Sequence, residues 1–263
     1  TPLYSSAASD VYKRQDFHRM NILVFDIETI PDINSGKTIF NLRGLNDKDV
    51  SDVMFNQRYQ KSNGKTEFLQ HYLHKIVAIS VVLKTNDKLS VWSLGQKDST
   101  ESELLVRFFE GIERYTPTLV SWNGSGFDLP VIHYRSLIHG VSAERYWENG
   151  DGDQSFRWNN YLSRFHSRHT DLMDVLSGYT VSAKAPLNEI ASILGFPGKM
   201  DMSGDQVWDY YLANDIETIR NYCETDVLNT YLVYLRYQLI RGKLNDNLYL
   251  DECEKVKEML LNE

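Results

Sequence analysis

Asp26 and Glu28 are the first pair of side chains in this sequence whose type and spacing could do chemistry. They follow the apolar run 21–25, in the segment FDIET. Residues two apart in a strand point to the same face, so both carboxylates would leave the strand side by side. Such a pair repels itself, and a divalent cation relieves the repulsion, because Mg²⁺ and Mn²⁺ prefer oxygen ligands. Solvated acids at the end of a strand are the alternative interpretation.

A third acid, Asp128, follows a strand-like run and a glycine-bearing turn in the segment SWNGSGFD. Ligands bind at such strand ends in open α/β sheets, which favours a role for Asp128 in the same site. Aspartate is also favoured at the N-cap of a helix, and Leu129-Pro130 fits a first helical turn. Both interpretations stay open for this residue.

Tyr222 and Asp226 lie four residues apart in the segment NYCETD, inside a long amphipathic pattern. Residues at this spacing share one face of a helix, so a phenol and a carboxylate could reach the same site. A core tyrosine beside a surface acid would show the same spacing. The pair therefore predicts a shared site only in combination with the other acids.

The segment 166–171 offers a different kind of metal site, since His166, His169 and Asp171 all have zinc-binding side chains. A closed zinc site needs four ligands, and the others are not evident in the sequence. We therefore do not predict a zinc site there.

Composition limits the classes of protein to which the chain can belong. Hydrophobic residues make up 42% and charged residues 24% of the 263 positions, as in soluble globular proteins. No apolar run approaches the roughly 18–20 residues that cross a bilayer. Cys223 and Cys253 form no CxxC pair, which favours a reducing cytoplasm. The net charge of -8 argues against a protein that grips long duplex nucleic acid, but not against binding through cations.

Hydrophobic periodicity outlines the elements that must position these residues. Strands are predicted at 21–25, 75–83, 88–94 and 118–122. Helices are predicted at 47–60, 65–72, 101–115, 129–137, 170–177, 187–194 and 215–241. A long connection occupies 31–74, and 140–168 shows no assignable pattern.

This order of elements predicts one α/β domain, a mixed sheet with helices on both faces, over residues 20–241. Residues 1–19 precede the first methionine, Met20, and lack hydrophobic periodicity. We interpret 1–19 as a non-native or disordered leader, because SSAASDVYKRQ looks like translated adaptor sequence. Residues 242–263 are predicted to form a C-terminal helical extension.

Taken in order, the three motifs resemble the DEDDy branch of the RNase H-like 3′→5′ exonucleases. The similarity is greatest to the proofreading exonuclease domain of family-B DNA polymerases and to its stand-alone relatives. It rests on MNILVFDIETIPD, SWNGSGFDLPVI, HTDLMDVLSGY and YCETDVLNTYLVYLRYQL, and it covers roughly 20–241. Tyr222 favours this branch, because the sister branch would carry histidine on this helix. The resemblance implies a mixed five-stranded RNase H-like sheet flanked by helices, with the hairpin paired to the first strand and one antiparallel member.

The resemblance also implies a two-metal hydrolysis of phosphodiester bonds that releases nucleoside 5′-monophosphates. Two divalent ions, Mg²⁺ or Mn²⁺, would lie about 4 Å apart on either side of the scissile phosphate. Asp26 would bridge them, Glu28 and Asp226 would complete the ligands of the first ion, and Asp128 would hold the second. Tyr222 would orient the attacking water, since a phenol with a pKa near 10 is a poor general base.

The implied partner is the 3′ end of a single-stranded nucleic acid, with DNA preferred to RNA. The side chains expected to touch it are Thr29, Asn123, Phe127 and Lys199, with Lys184 as the alternative lysine. Phe127 could stack on a base or simply pack in the core. A polymerase or repair partner in trans stays open. So do two other functions, an RNA-processing exoribonuclease and a catalytically silent nucleic-acid-binding module on the same fold.

Overall fold

The computed structural model describes residues 17, 19–86, 88–198 and 202–261, and its centre is a five-stranded sheet. The strands are β1 (Ile22–Pro31), β2 (His74–Lys84), β3 (Leu89–Ser93), β4 (Thr118–Ser121) and β5 (His169–Asp171). Their order across the sheet is β3-β2-β1-β4-β5. Strand β2 runs antiparallel to β1 and β3, and the remaining pairs are parallel. The predicted RNase H-like sheet with one antiparallel member is confirmed.

Helices cover both faces of this sheet. In chain order they are α1 (Ile33–Ile39), α2 (Asp47–Lys61), α3 (Glu101–Tyr115), α4 (Asp128–His139), α5 (Glu144–Trp147), α6 (Leu172–Leu176), α7 (Leu187–Ile193), α8 (Val207–Leu212), α9 (Ile216–Ile240) and α10 (Asp246–Leu261). Short 3₁₀ turns lie at His71–Leu73, Gln154–Phe156, Val181–Ala183 and Gly204–Gln206. No described helix is both long and apolar enough to cross a membrane.

The central strand β1 divides the core into two layers, because its alternate side chains point to opposite faces. Phe25 packs on one face, with its ring centroid 5.2 Å from that of Phe108 of α3. Val24 packs on the other face, in the cluster that holds Tyr231 of α9 and Val256 of α10. Helices α3 and α4 therefore cover one face, and α9 and α10 cover the other.

Three predicted elements differ from the structure. The helix predicted at 65–72 is absent, and only His71–Leu73 form a 3₁₀ turn. There, the hydroxyl of Ser62 accepts hydrogen bonds from the backbone N–H groups of Lys65 and Thr66, which stops helix α2 from continuing. The helix predicted from 170 begins only at Leu172, since the three residues before it pair with β4 as strand β5. Helix α1, inside the long connection, was not predicted.

The beginning of the described chain contributes to the core through Phe17. Its side chain is buried in the α9 layer, and Lys84 donates a hydrogen bond of 2.7 Å to its carbonyl oxygen. Residues 1–16 of the predicted leader lie outside the described residues. Packing at Phe17 differs from the expectation for residues 1–19, whereas the domain boundary at Met20 stays a prediction.

A buried ion network ties the end of β1 to the helices of one face. Arg135 of α4 forms ion pairs with Asp32 and with Glu101, and all three side chains are buried. Glu101 also accepts a hydrogen bond of 2.6 Å from the backbone N–H of Ile76. Helix α4, which begins at Asp128, is thereby fixed relative to β1 and β2.

Replacement Arg135→Met is expected to lower the free energy of unfolding by about 3–5 kcal/mol, because it leaves two carboxylates buried without a counter-charge. Equilibrium denaturation in urea measures the change. The matched control is Arg107→Met, since Arg107 pairs with Glu103 on the exposed surface of α3 and such pairs contribute about 0.3–0.5 kcal/mol. Equal losses for the two variants would contradict the role of the network.

Candidate active site

Asp26 and Glu28 lie within β1, which continues for three residues beyond Glu28. The expectation that these acids lie beyond the strand end is therefore wrong. The strand is longer because β2 pairs with it along its whole length, with a register shift between Glu28 and Thr29. Both carboxylates remain on one face, as their spacing of two predicts. Glu28 is buried and Asp26 is half-buried.

Helix α9 crosses β1 and β2 and brings Tyr222, Cys223 and Asp226 to the same face. The thiol of Cys223 is 3.5 Å from the carbonyl oxygen of Asp26 and 3.6 Å from its Oδ2, and it donates to them. One ligand atom from each of Asp26, Glu28 and Cys223 lies within 4.8 Å of the other two. The sequence analysis missed Cys223. Its position three residues before Asp226 on the same helix was the available signal.

Asp128 is the first residue of α4, not its N-cap, which is Phe127. Its Oδ1 accepts a hydrogen bond of 3.1 Å from the backbone N–H of Ile27, so the carboxylate is held against β1 between Asp26 and Glu28. The preceding turn is tight, because a Cβ at Gly124 would lie 2.5 Å from the Cβ of Ser121. The helix-cap interpretation of Asp128 is thus replaced by a contact with the central strand.

The four carboxylates act on one another electrostatically. Burial, followed by the charges of the other three acids, raises the pKa of Asp26 well above its ordinary value. Burial and the charges of Asp226 and Asp128 raise the pKa of Glu28 in the same way. Burial raises the pKa of Asp128 to about 7, although its own N–H and that of Ile27 oppose the shift. Within the described ranges, no cationic side chain forms an ion pair with Asp26, Glu28 or Asp128.

Tyr222 is buried beside these acids, and its hydroxyl forms a hydrogen bond with Asp226. Burial, followed by the charges of Asp226, Glu28 and Asp26, raises the pKa of the phenol. The group therefore stays protonated at any physiological pH and can donate a hydrogen bond. A neutral phenol can orient a water molecule but cannot take its proton.

Metal ions are expected to stabilise the chain more at pH 8 than at pH 5.5. The pKa of Asp128 is raised from about 3.9 unfolded to about 7 folded. The metal-free fold is therefore favoured at low pH and loses this stabilisation as the pH rises from about 4 to about 7. In EDTA at pH 8, Asp128→Asn should raise the melting temperature by several degrees, because a buried charge is removed.

Differential scanning fluorimetry with Mg²⁺, Mn²⁺ or EDTA measures these shifts. Asp251→Asn, at an exposed position of α10, is the matched control and should change neither melting temperature nor metal response. A metal-free wild type that is as stable at pH 8 as Asp128→Asn would refute the electrostatic description of this cluster.

Three of the predicted substrate-contact residues lie around this cluster. The hydroxyl of Thr29 is 2.9 Å from Nδ1 of His74, whose pKa burial lowers to about 4, so the imidazole is neutral. Asn123 has a φ of 65°, which asparagine tolerates, and its backbone N–H donates to Asp171 at 3.0 Å. The half-buried ring of Phe127 lies 5.1 Å from that of His74. Their contact with substrate stays a prediction.

The predicted lysine, Lys199, lies outside the described residues. The alternative, Lys184, is at the site: its Nζ donates to Oδ1 of Asn123 at 3.3 Å and pairs with Asp174 at 3.0 Å. The residues considered for zinc have other partners. His169 bonds to Ser121, and Asp171 accepts hydrogen bonds from N–H groups of the turn before α4. Asp171, which holds that turn, was not predicted to have this role.

Comparison with known proteins follows from this geometry. Residues 66–263 match the model of a family described as predicted 3′→5′ exonucleases related to the exonuclease domain of PolB. Asp128, Tyr222 and Asp226 lie inside the matched range, and Asp26 and Glu28 precede it.

Among curated proteins, the chain is 27% identical over 146 residues to the catalytic subunit of DNA polymerase epsilon from Saccharomyces cerevisiae, over 53% of this chain and 6% of the polymerase. It is 26% identical over 208 residues to a DNA polymerase of Archaeoglobus fulgidus, over 71% of this chain and 26% of the polymerase. It therefore spans about a quarter or less of these relatives. Among solved structures, E. coli Exonuclease I in complex with a 5cy-dT13 oligonucleotide matches 85% of this chain and 45% of its own, with 14% identity and a TM-score of 0.31.

Proposed function

The chain belongs to the family of predicted 3′→5′ exonucleases related to the exonuclease domain of PolB, and from this we propose a specific activity. The proposed activity is a metal-dependent 3′→5′ exonuclease of the DEDDy type. It hydrolyses the terminal phosphodiester bond of single-stranded DNA by a two-metal mechanism and releases nucleoside 5′-monophosphates. The proposed location is the cytoplasm.

The observation that supports this proposal is the mutual effect of four carboxylates from three separate parts of the chain. Asp26 and Glu28 come from β1, Asp128 from the start of α4, and Asp226 from α9. Burial and their own charges raise the pKa values of Asp26 and Glu28. Buried carboxylates without a counter-charge are costly in free energy. The set fits divalent cations, since Mg²⁺ and Mn²⁺ prefer carboxylate oxygens.

Each side chain has a proposed role. Asp26, Glu28 and Asp226 hold one cation and Asp128 helps to hold a second, with Asp26 shared between them. Two such ions, when bound, supply the positive charge that stabilises the phosphoryl transition state and lowers the pKa of a water. The Tyr222 hydroxyl, anchored on Asp226, orients the attacking water.

The substrate contacts proposed for the terminal nucleotide are Thr29, Asn123, Phe127 and Lys199, or Lys184 in place of Lys199. Lys184 has the better support, because its hydrogen bond to Asn123 places its ammonium group beside the turn that carries Phe127. A polymerase or repair protein acting in trans remains the proposed kind of partner, in keeping with the polymerases that the chain resembles.

Incubation of the chain with 5′-labelled single-stranded DNA and RNA, with Mg²⁺, Mn²⁺ or EDTA, tests this function. We expect a ladder that shortens one nucleotide at a time from the 3′ end, in either metal but not in EDTA. Faster shortening of RNA would identify an exoribonuclease, since metal-assisted chemistry is indifferent to the sugar and contacts to the 2′-OH decide. No cleavage under any condition would reject the activity in favour of a silent binding module.

A further inference from the structure

A cavity of about 590 Å³ begins at the turn that carries Asn123 and Phe127 and extends over the segment that shows no periodicity in the sequence. The residues of its lining that matter here are Ser125, Gly126, Trp147, Arg164, Tyr179 and Lys184. Ser125 and Gly126 belong to the turn directly before Asp128. One end of the cavity is therefore next to the candidate active site.

Aromatic side chains are exposed around this cavity. Phe165 is 76% exposed, and its ring centroid lies 5.5 Å from that of Tyr179, which lines the cavity and is also exposed. Trp147, on the other side, is 47% exposed. Exposed rings of this kind offer flat faces on which planar groups can stack.

The same surface carries positive charge. The Arg164 guanidinium lies 4.7 Å from the ring centroid of Tyr179 and 5.8 Å from that of Phe165. Arg164 and Lys184 both pair with Asp174, a single buried carboxylate, so cations predominate on the outer side. Residues 154–170 contain three arginines and no Asp or Glu, in a chain with a net charge of -8.

We propose that this surface, formed by Arg164, Phe165 and Tyr179, binds the nucleotides upstream of the cleaved 3′ end of a single strand. The inference rests on the proposed function and adds the path of the substrate. Arginine attracts the phosphates, and the rings stack on bases, a combination typical of sites for single strands. A duplex has its base faces stacked internally, so this surface selects single strands. Lys184, bonded to Asn123, connects the surface to the active site.

The test measures the binding of fluorescent oligothymidylates of two and of eight nucleotides by anisotropy in EDTA, where no cleavage occurs. Phe165→Ala should weaken binding of the longer strand about tenfold, as expected for the loss of one base–ring stack. Arg164→Ala should reduce the slope of log affinity against log salt by about 0.7, as expected for one lost phosphate contact. Binding of the dinucleotide should change less than about twofold, because it does not reach this surface.

Two matched controls show whether these effects are specific. Arg107 and Arg164 have equal side-chain exposure, 49%, and each pairs with one carboxylate, so Arg107→Ala controls for the loss of a charge. Trp92 is an exposed aromatic residue on β3, so Trp92→Ala controls for the loss of a ring. Both controls should bind the longer strand as the wild type does, and all four variants should keep the wild-type melting temperature.

Several results would overturn the proposal: equal affinity of the wild type for the two lengths, unchanged binding by Phe165→Ala and Arg164→Ala, or equal losses in the controls. Cleavage of the longer strand by the wild type in Mg²⁺ is measured separately. Length-dependent binding that these variants weaken, without any cleavage, would support the surface and reject the proposed activity. Cleavage with unchanged variant affinity would do the reverse.

Discussion

Replacement Asp226→Asn is expected to lower the single-turnover rate on single-stranded DNA by about 10³-fold or more at saturating Mg²⁺. Asparagine keeps the shape of aspartate and can still accept the hydrogen bond of Tyr222, so the fold and the tyrosine should be preserved. It removes the negative charge that holds a cation. Metal ions supply several kcal/mol of transition-state stabilisation, and each 1.36 kcal/mol corresponds to a factor of ten in rate.

The matched control for Asp226→Asn is Glu224→Gln on the same helix. Glu224 accepts a hydrogen bond of 2.5 Å from the Ser93 hydroxyl of β3, and glutamine can still accept that bond. This variant should retain activity within about twofold of the wild type. Isothermal titration with Mn²⁺ gives a second readout, in which only Asp226→Asn should weaken metal binding. If the two variants cleave at the same rate, α9 contributes no metal ligand and the two-metal assignment is wrong.

Replacement Tyr222→Phe should lower the single-turnover rate on the order of 10²-fold and leave metal affinity nearly unchanged. The phenyl ring preserves the packing of α9 against β1, while the only group lost is the hydroxyl that would orient the water. A contact that acts mainly in the transition state lowers kcat and kcat/KM together. Loss of one such positioning group commonly costs about 10²–10³-fold.

Tyr231→Phe is the control for the missing hydroxyl. Tyr231 is also buried on α9, and its hydroxyl donates to a carboxylate, Glu252, at 3.4 Å. Its loss should change stability by about 1 kcal/mol or less without changing the rate. A Tyr222→Phe variant with wild-type kcat and a lowered melting temperature would show that Tyr222 is a core residue beside an acid and has no part in catalysis.

Much of the fold could be predicted from local patterns. The hairpin predicted at 75–94 is formed by β2 and β3, and helix α3 begins and ends where the spacing of Leu104, Phe108 and Ile112 predicts, with Thr100 as its N-cap. These features follow from periodicities of two and of 3.6 residues, which are properties of neighbouring residues. Strand β5 was missed because three residues are too few to show a period, and only pairing with β4 makes them a strand.

The sequence by itself determined which side chains could form the site. A spacing of two places Asp26 and Glu28 on one face of a strand, and a spacing of four places Tyr222 and Asp226 on one face of a helix. The order of these motifs also predicted the family to which the chain belongs. Each of these statements depends on geometry within a few residues, which any chain with this sequence must follow.

Only the tertiary structure decided what these side chains meet. The bond between Asp128 and Ile27 joins residues 101 positions apart, and the contact between Cys223 and Asp26 joins residues 197 apart. Lys184 reaches Asn123 across 61 positions, and the exposed rings beside Arg164 lie in a segment without periodicity. Such contacts depend on the order of strands in the sheet and on the packing of α9 across it, because spacing along the chain carries no information about distances through space.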